Sequence, residues 1–276
     1  MIEIREESGH SLFIEMSFQG TLLSTGTAFV VHTTKGPHLI TNRHNVTGRH
    51  QETGEALSST LGIPDSITIT HHQKNAVGSF VKKTQPLLID NQNVWVEHPT
   101  LKDGADFVAI KLSDVSGVDT VPIKISKEPT KARLAPSDVV SVIGFPFSLK
   151  ASGGFAVWSS GFIASEPEIN YNNLPVLLID CRSRQGQSGS PVFLYRTSGS
   201  VQMRNGSAVM FTEPYSEFIG IYSGRIHKDS DIGMVWKSIA IRELISFIEN
   251  PASWQTQITT TFTSTNIPLI TPRPIW

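Results

Sequence analysis

The chain sets one serine in a run of small and polar residues, Gln185-Gly186-Gln187-Ser188-Gly189-Ser190-Pro191, directly before the apolar Val192-Phe193-Leu194. Glycines on both sides of Ser188 remove side-chain bulk and let backbone N–H groups converge on a carbonyl oxygen. With a base to take its proton, the Ser188 hydroxyl could attack an acyl carbon. The same segment alone also reads as an ordinary turn leading into a strand.

Nine histidines are available as the base. His44 stands apart in His38-Leu39-Ile40-Thr41-Asn42-Arg43-His44-Asn45-Val46, where an apolar strand turns polar and would aim the ring. His71 and His72 are expected on a surface loop, and His10, His50, His98 and His227 have no placed context. A base of this kind needs a carboxylate to fix its tautomer and stabilise the imidazolium. Asp106 heads the apolar run Phe107-Val108-Ala109-Ile110, so its side chain can be partly buried; Asp103 and Asp114 are the alternatives, further from that run.

Such residues need rigid elements to hold them. The chain has 276 residues, enough for two modest lobes or one large β domain. Short runs rich in Val, Ile, Phe and Thr, bounded by turn residues, predict strands at 11–18, 27–32, 38–41, 66–70, 87–90 and 107–112. A second set follows at 139–143, 155–164, 175–180, 191–195, 208–211 and 218–222. Strands this evenly spaced, with almost no helical periodicity between them, predict an all-β protein of barrels or sandwiches. The expected division is a first lobe over 1–126, a linker over 127–136, a second lobe over 137–250 and a Thr/Pro-rich tail over 251–276. One helix is expected near the end, where Ile241, Leu244, Ile245 and Ile248 form one apolar stripe that Asn250-Pro251 stops. The tail is read as an edge strand, a partner-binding arm or a loose terminus.

Composition narrows the class further. The formal net charge is −1, which gives no electrostatic case for nucleic acid or an anionic membrane. Apolar runs are far too short to span a bilayer, and the amino terminus lacks the basic head and apolar core of a secretory signal. From Met1 onward it is expected to be a strand rather than a removable propeptide. The single Cys181 excludes an intramolecular disulfide framework and points to a reducing, cytoplasmic setting. Neither metal nor cofactor is implied: there is no HExxH, no cysteine pair and no phosphate-binding glycine loop.

Taken in order, the candidates run His44, Asp106, Ser188. Subtilisin-like enzymes run Asp, His, Ser and α/β hydrolases Ser, Asp, His, so only the chymotrypsin order fits. Gly26-Thr27-Ala28-Phe29-Val30-Val31 with Leu39-Ile40-Thr41-Asn42-Arg43-His44 is similar to the histidine region of trypsin-like serine peptidases, especially bacterial and HtrA-type domains. Ala105-Asp106-Phe107-Val108-Ala109-Ile110 resembles their aspartate motif, and Val142-Ile143-Gly144-Phe145-Pro146 the opening of their second barrel. Asp180, the serine segment and Phe218-Ile219-Gly220-Ile221-Tyr222-Ser223-Gly224 complete the likeness, over about residues 10 to 250. A PDZ module after the helix is not expected. The sequon Asn45-Val46-Thr47 would put a glycan beside His44, which again favours a protein that is not secreted.

The resemblance implies two six-stranded Greek-key barrels with a C-terminal helix, and a serine endopeptidase acting through His44, Asp106 and Ser188. It implies an oxyanion hole at Gly186, Gln187 and Ser188, the N–H groups of Gly186 and Ser188 being the donors. Ser223, Gly224 and Arg225 are expected along the substrate strand. Arg182, six residues before the nucleophile, falls at the base of the specificity pocket, where with Arg225 it would select Asp or Glu, unless both point to solvent. Partners are a protein or peptide substrate and a possible regulatory protein, as in a multi-protein pathway. The rival readings are an inactive pseudo-protease serving as a binding module, and an esterase.

Overall fold

The computed structural model describes residues 4–252 and 254. The first half contributes helices α1 (Glu6–His10) and α2 (Arg43–Thr47). Its strands are β1 (Ser11–Phe18), β2 (Thr21–Thr33), β3 (Gly36–Thr41), β4 (Ser66–Gln73), β5 (Phe80–Pro86), β6 (Leu88–Ile89), β7 (Gln92–Asn93), β8 (Trp95–Glu97), β9 (Val108–Lys111) and β10 (Val118–Asp119). Eight of these pair antiparallel in one sheet, ordered β10-β4-β1-β2-β3-β9-β8 with β5 on the free side of β4, while β6 and β7 form a small hairpin. The second half supplies β11 (Val139–Gly144), β12 (Val157–Ile163), β13 (Val176–Asp180), β14 (Pro191–Arg196), β15 (Gly199–Gln202), β16 (Ala208–Phe211), β17 (Tyr215–Arg225), β18 (Ile232–Lys237) and helix α3 (Ser238–Glu249). Six of them close a barrel, β11-β12-β13-β18-β17-β14, and β15 with β16 forms a separate hairpin. Among the described residues, no helix is long and apolar enough to cross a membrane.

The continuous apolar runs have a simple cause: the central strands are buried on both faces. Along β1, Leu12, Ile14 and Met16 point into the first lobe's own core while Phe13 points toward the second lobe. In β2, Ala28 and Val30 face inward and Phe29 and Val31 outward; in β14, Val192 and Leu194 line the barrel while Phe193 turns away. The outward set merges with Ile143, Phe145, Ile221, Trp236 and the α3 stripe Ile241, Leu244 and Ile248 into one shared core between the lobes. Each such large side chain contributes about 1.5–3 kcal/mol by leaving water. The two lobes therefore form a single rigid frame for whatever lies in the crevice between them.

Several expectations change. Where six strands were expected, the first sheet has eight: the stretch expected at 87–90 falls in the β6–β7 hairpin, and β5, β8 and β10 join the other five. β5 carries exposed Lys82 and Thr84, with the polar Lys83 and Gln85 at its half-buried positions, a weak apolar signal on an edge strand. β18, a full barrel strand, was not expected because Gly233 interrupts its pattern. The stretch 127–136 holds no regular strand or helix, and it is fastened to the second lobe: the N–H groups of Lys131 and Ala132 donate to the Glu217 carboxylate. Tail residues beyond 254 lie outside the described residues.

His71 and His72 are not on a loop. Both lie in β4, and His71 is buried with neither ring nitrogen hydrogen-bonded. Burial, with help from the nearby His72 and Lys83 cations, pushes the His71 imidazole down to about 4. Burial lowers His72 and His38 as well. The unfolded chain therefore binds protons that the fold excludes, and stability should fall as the pH drops from about 6.5 toward 4, by roughly 3 kcal/mol for His71. Urea melts at pH 7 and pH 5 check this; His71→Phe, which cannot titrate, should lose part of the difference. An identical pH response in that variant would exclude His71 as a source.

Candidate active site

His44 does not sit on the strand that precedes it. β3 ends at Thr41 and the chain turns into α2, which carries His44 in its first turn. The turn is tied down locally: Asn42 Nδ2 donates to the Asp106 carbonyl at 2.6 Å, and Arg43 Nε pairs with Glu97 Oε1 at 2.9 Å. Gly48 ends the helix in a left-handed conformation, its N–H donating to the His44 carbonyl. The ring is thus aimed by a helix seated on the sheet.

Asp106, just before β9, is buried and accepts three hydrogen bonds. The His44 backbone N–H reaches its Oδ1 at 3.0 Å, His44 Nδ1 lies 2.7 Å from Oδ2, and the Ser223 hydroxyl donates to that same Oδ2. A carboxylate only accepts, so Nδ1 carries the proton and the Nε2 lone pair is free. Among the described residues, Nε2 has no partner.

Ser188 arrives from the other lobe. Its Oγ lies 3.5 Å from the Ser223 carbonyl oxygen, its only hydrogen-bond acceptor among the described residues. Ser223 therefore touches both the serine and the aspartate. Expected only along the substrate strand, it also belongs to the charge-bearing cluster. The loop around Ser188 is locked to the first lobe, with Thr27 N donating to the Ser188 carbonyl at 2.9 Å and Thr27 Oγ1 to the Gly186 carbonyl at 2.8 Å. Thr27 was not among the expected site residues, although Gly26-Thr27-Ala28 heads an apolar run and was visible as a motif.

Two of the expected oxyanion donors are open. Among the described residues, the N–H groups of Gly186 and Ser188 have no acceptor, whereas Gln187 N–H is spent on the Arg184 carbonyl. Gly186 stands at φ +93°, and a Cβ there would lie 2.4 Å from the Phe145 carbonyl oxygen. Gly189, at φ +89°, would place a Cβ 2.0 Å from the Thr27 carbonyl oxygen. Both positions exclude any side chain. Gln187 is buried, with Oε1 accepting from Arg184 N at 2.7 Å and Nε2 donating to Ser159 Oγ at 2.9 Å.

The cationic pocket is not formed. The Arg182 side chain is 82 % exposed and its Nε is 4.0 Å from Asp231, while Arg225 is also exposed. A guanidinium charge costs less in water than in a buried site with no acid to pair it. Asn45 is buried, with Nδ2 bonded to Thr41 Oγ1 at 2.9 Å and the Ser188 carbonyl at 3.4 Å, so this sequon is not open to glycosylation in the fold. Burial also pushes the Cys181 thiol up to about 11, leaving it no thiolate to compete as nucleophile. Among the described residues, no group of acids, histidines and cysteines is arranged to hold a metal ion. A cavity of about 790 Å³ lies between 122–127 and α3, lined by His32, Arg242 and Trp254; His44, Asp106 and Ser188 do not line it.

A thermostable serine protease, AL20, from an extremophilic microorganism is 13% identical, with a TM-score of 0.51 over 89% of this chain and 99% of that one, which supports the fold. The Yersinia pestis serine endoprotease is 16% identical, at a TM-score of 0.48 over 89% of this chain and 68% of that chain. The Rv3671c protease of M. tuberculosis in its active form is 16% identical, at 0.47 over 87% and 81%. No curated protein matches in sequence. The family model of a trypsin-like peptidase domain, however, matches residues 26–201, well over half of the chain. The chain belongs to the trypsin-like peptidases, serine endopeptidases of the hydrolase class.

Proposed function

We propose that the protein hydrolyses peptide bonds through Ser188, His44 and Asp106. The observation that carries this reading is the link through Ser223, whose carbonyl contacts Ser188 Oγ and whose hydroxyl contacts Asp106, beside a His44 with its Nε2 lone pair free. Ser188 Oγ attacks the carbonyl carbon as its proton passes to His44 Nε2. The carbonyl electron pair moves to oxygen, which the N–H groups of Gly186 and Ser188 receive. The C–N bond breaks, the amine leaves with the proton from His44, and water repeats the sequence to free the acid. Asp106 holds the tautomer throughout. A cytoplasmic setting is part of the reading and rests on the single cysteine.

One observation favours a second reading. Ser188 Oγ is turned to Ser223 rather than to His44, a state that a catalytically silent binding module on this fold would keep. Such bonds also tighten only when substrate arrives. A small fluorophosphonate separates the two: stoichiometric labelling of Ser188 alone, read by peptide mapping, supports the peptidase, and an unmodified Ser188 supports the binding module.

Control by a partner protein, rather than by amino-terminal cleavage, completes the proposal. A switch that pairs a new α-amino group with the residue before the nucleophile needs a carboxylate there. Gln187 is neutral, and both ends of its amide are already bonded within the second lobe. The untrimmed protein should therefore label at Ser188 as fast as a form cut before Gly9. Labelling that begins only after trimming would overturn this control scheme.

A further inference from the structure

Two stretches flank Ser188. One is the segment 181–187 that leads into the nucleophile. The other is the end of β17, Ser223 to Arg225, whose Ser223 carbonyl lies 3.5 Å from Ser188 Oγ. Tyr222 lies between them. It is 2 % exposed, and its phenol is hydrogen-bonded to the hydroxyl of Ser183, a fully buried residue on the opposite wall. β18 closes the third side, where a Cβ on Gly233 would lie 2.5 Å from Tyr222 Cε2. Position 233 is bare where the ring passes.

The ring is also fixed in place. Tyr222 N donates to the Ser190 carbonyl at 2.9 Å, and Gly189 N donates to the Tyr222 carbonyl at 2.9 Å. Moving Tyr222 would move the loop that holds Ser188. Burial pushes its phenol up to about 12, so the group stays neutral and hydrogen-bonded. Among the described residues, no buried charge faces the space: Arg182 is turned to solvent, and Arg184 pairs with Asp231 at 3.2 Å.

We propose that Tyr222 is the specificity-determining residue, its ring filling the space between these walls so that only Ala, Ser or Gly fits before the cleaved bond. The inference rests on Ser188 being the nucleophile, as proposed above. Large and charged side chains are excluded by bulk rather than by charge. Tyr222, not Arg182, sets the preference.

The test uses peptidyl diphenyl phosphonates that differ only in the side chain beside phosphorus: Ala, Leu, Phe and Lys. Ser188 Oγ forms a bond to phosphorus, phenol leaves with the serine proton, and intact mass gives the rate. In the wild type the Ala probe should react at least about tenfold faster than the Phe and Lys probes, the scale on which pockets sense size. Tyr222→Val should bring the Leu and Phe rates up to or above the Ala rate, whereas Tyr222→Phe, which keeps the ring, should retain the selection. Wild-type rates that ignore size, or a folded Tyr222→Val with unchanged ratios, would overturn the inference. If Tyr222→Val melts below the assay temperature, the wild-type ratio alone decides. A small fluorophosphonate that labels Ser188 in a protein without size selection would reject this inference alone. One that leaves Ser188 untouched would reject the proposed function and this inference together.

Discussion

Ser188→Ala should abolish peptide turnover, lowering kcat by about 10⁴ to 10⁶, while leaving the fold intact. The two halves of that expectation have separate causes. The hydroxyl makes one long contact, 3.5 Å to the Ser223 carbonyl, so its loss costs little stability. The backbone around it is held by other atoms, through Thr27 N, Gly189 N and Tyr222 N. Thermal melting of the variant should thus overlay the wild type. Retention of more than about a tenth of the wild-type rate would remove Ser188 from the mechanism, since triad deletions cost orders of magnitude more.

Asp106→Asn should cost about 10⁴ in kcat, close to the loss of the serine, although the change is nearly isosteric. The three donors around Asp106 explain why. If the amide oxygen stays on the His44 backbone N–H, the new NH₂ replaces Oδ2, which accepted from both His44 Nδ1 and Ser223 Oγ. It must then donate to Nδ1, which puts the ring proton on Nε2 and leaves nothing to accept the serine proton. If the amide flips, its NH₂ meets the His44 N–H head on. Steady-state kinetics check the loss, with fluorophosphonate labelling of Ser188 falling in parallel. Full activity in the Asn variant would mean that Asp106 does not set the tautomer.

Much of this site was legible because its parts neighbour strong local signals. Ser188 sits between glycines that only a tight backbone approach requires, and Asp106 directly precedes a run of apolar residues. The order of His44, Asp106 and Ser188 then singled out one architecture. Less legible were elements whose patterns are mixed. α2 is five residues long, too short to show a period, so His44 read as the end of a strand. His71 and His72 looked polar enough for a loop, yet β4 runs between β1 and β5 and buries one of them.

The strand-rich class, the two sets of strands and the choice of candidate reactive side chains follow from nearest-neighbour chemistry: period, turn residues and glycine placement are all local. The shape of the proposed specificity pocket does not. It depends on Tyr222 meeting Ser183, 39 residues away, and on Gly233 in β18 yielding its space, contacts that exist only once β17 and β18 pair. Arg182 had the position for a pocket base, but the direction of its side chain was set by solvent and Asp231. Contacts between distant residues depend on how the barrel closes, and pattern along the chain carries no record of which side chain then occupies a shared space.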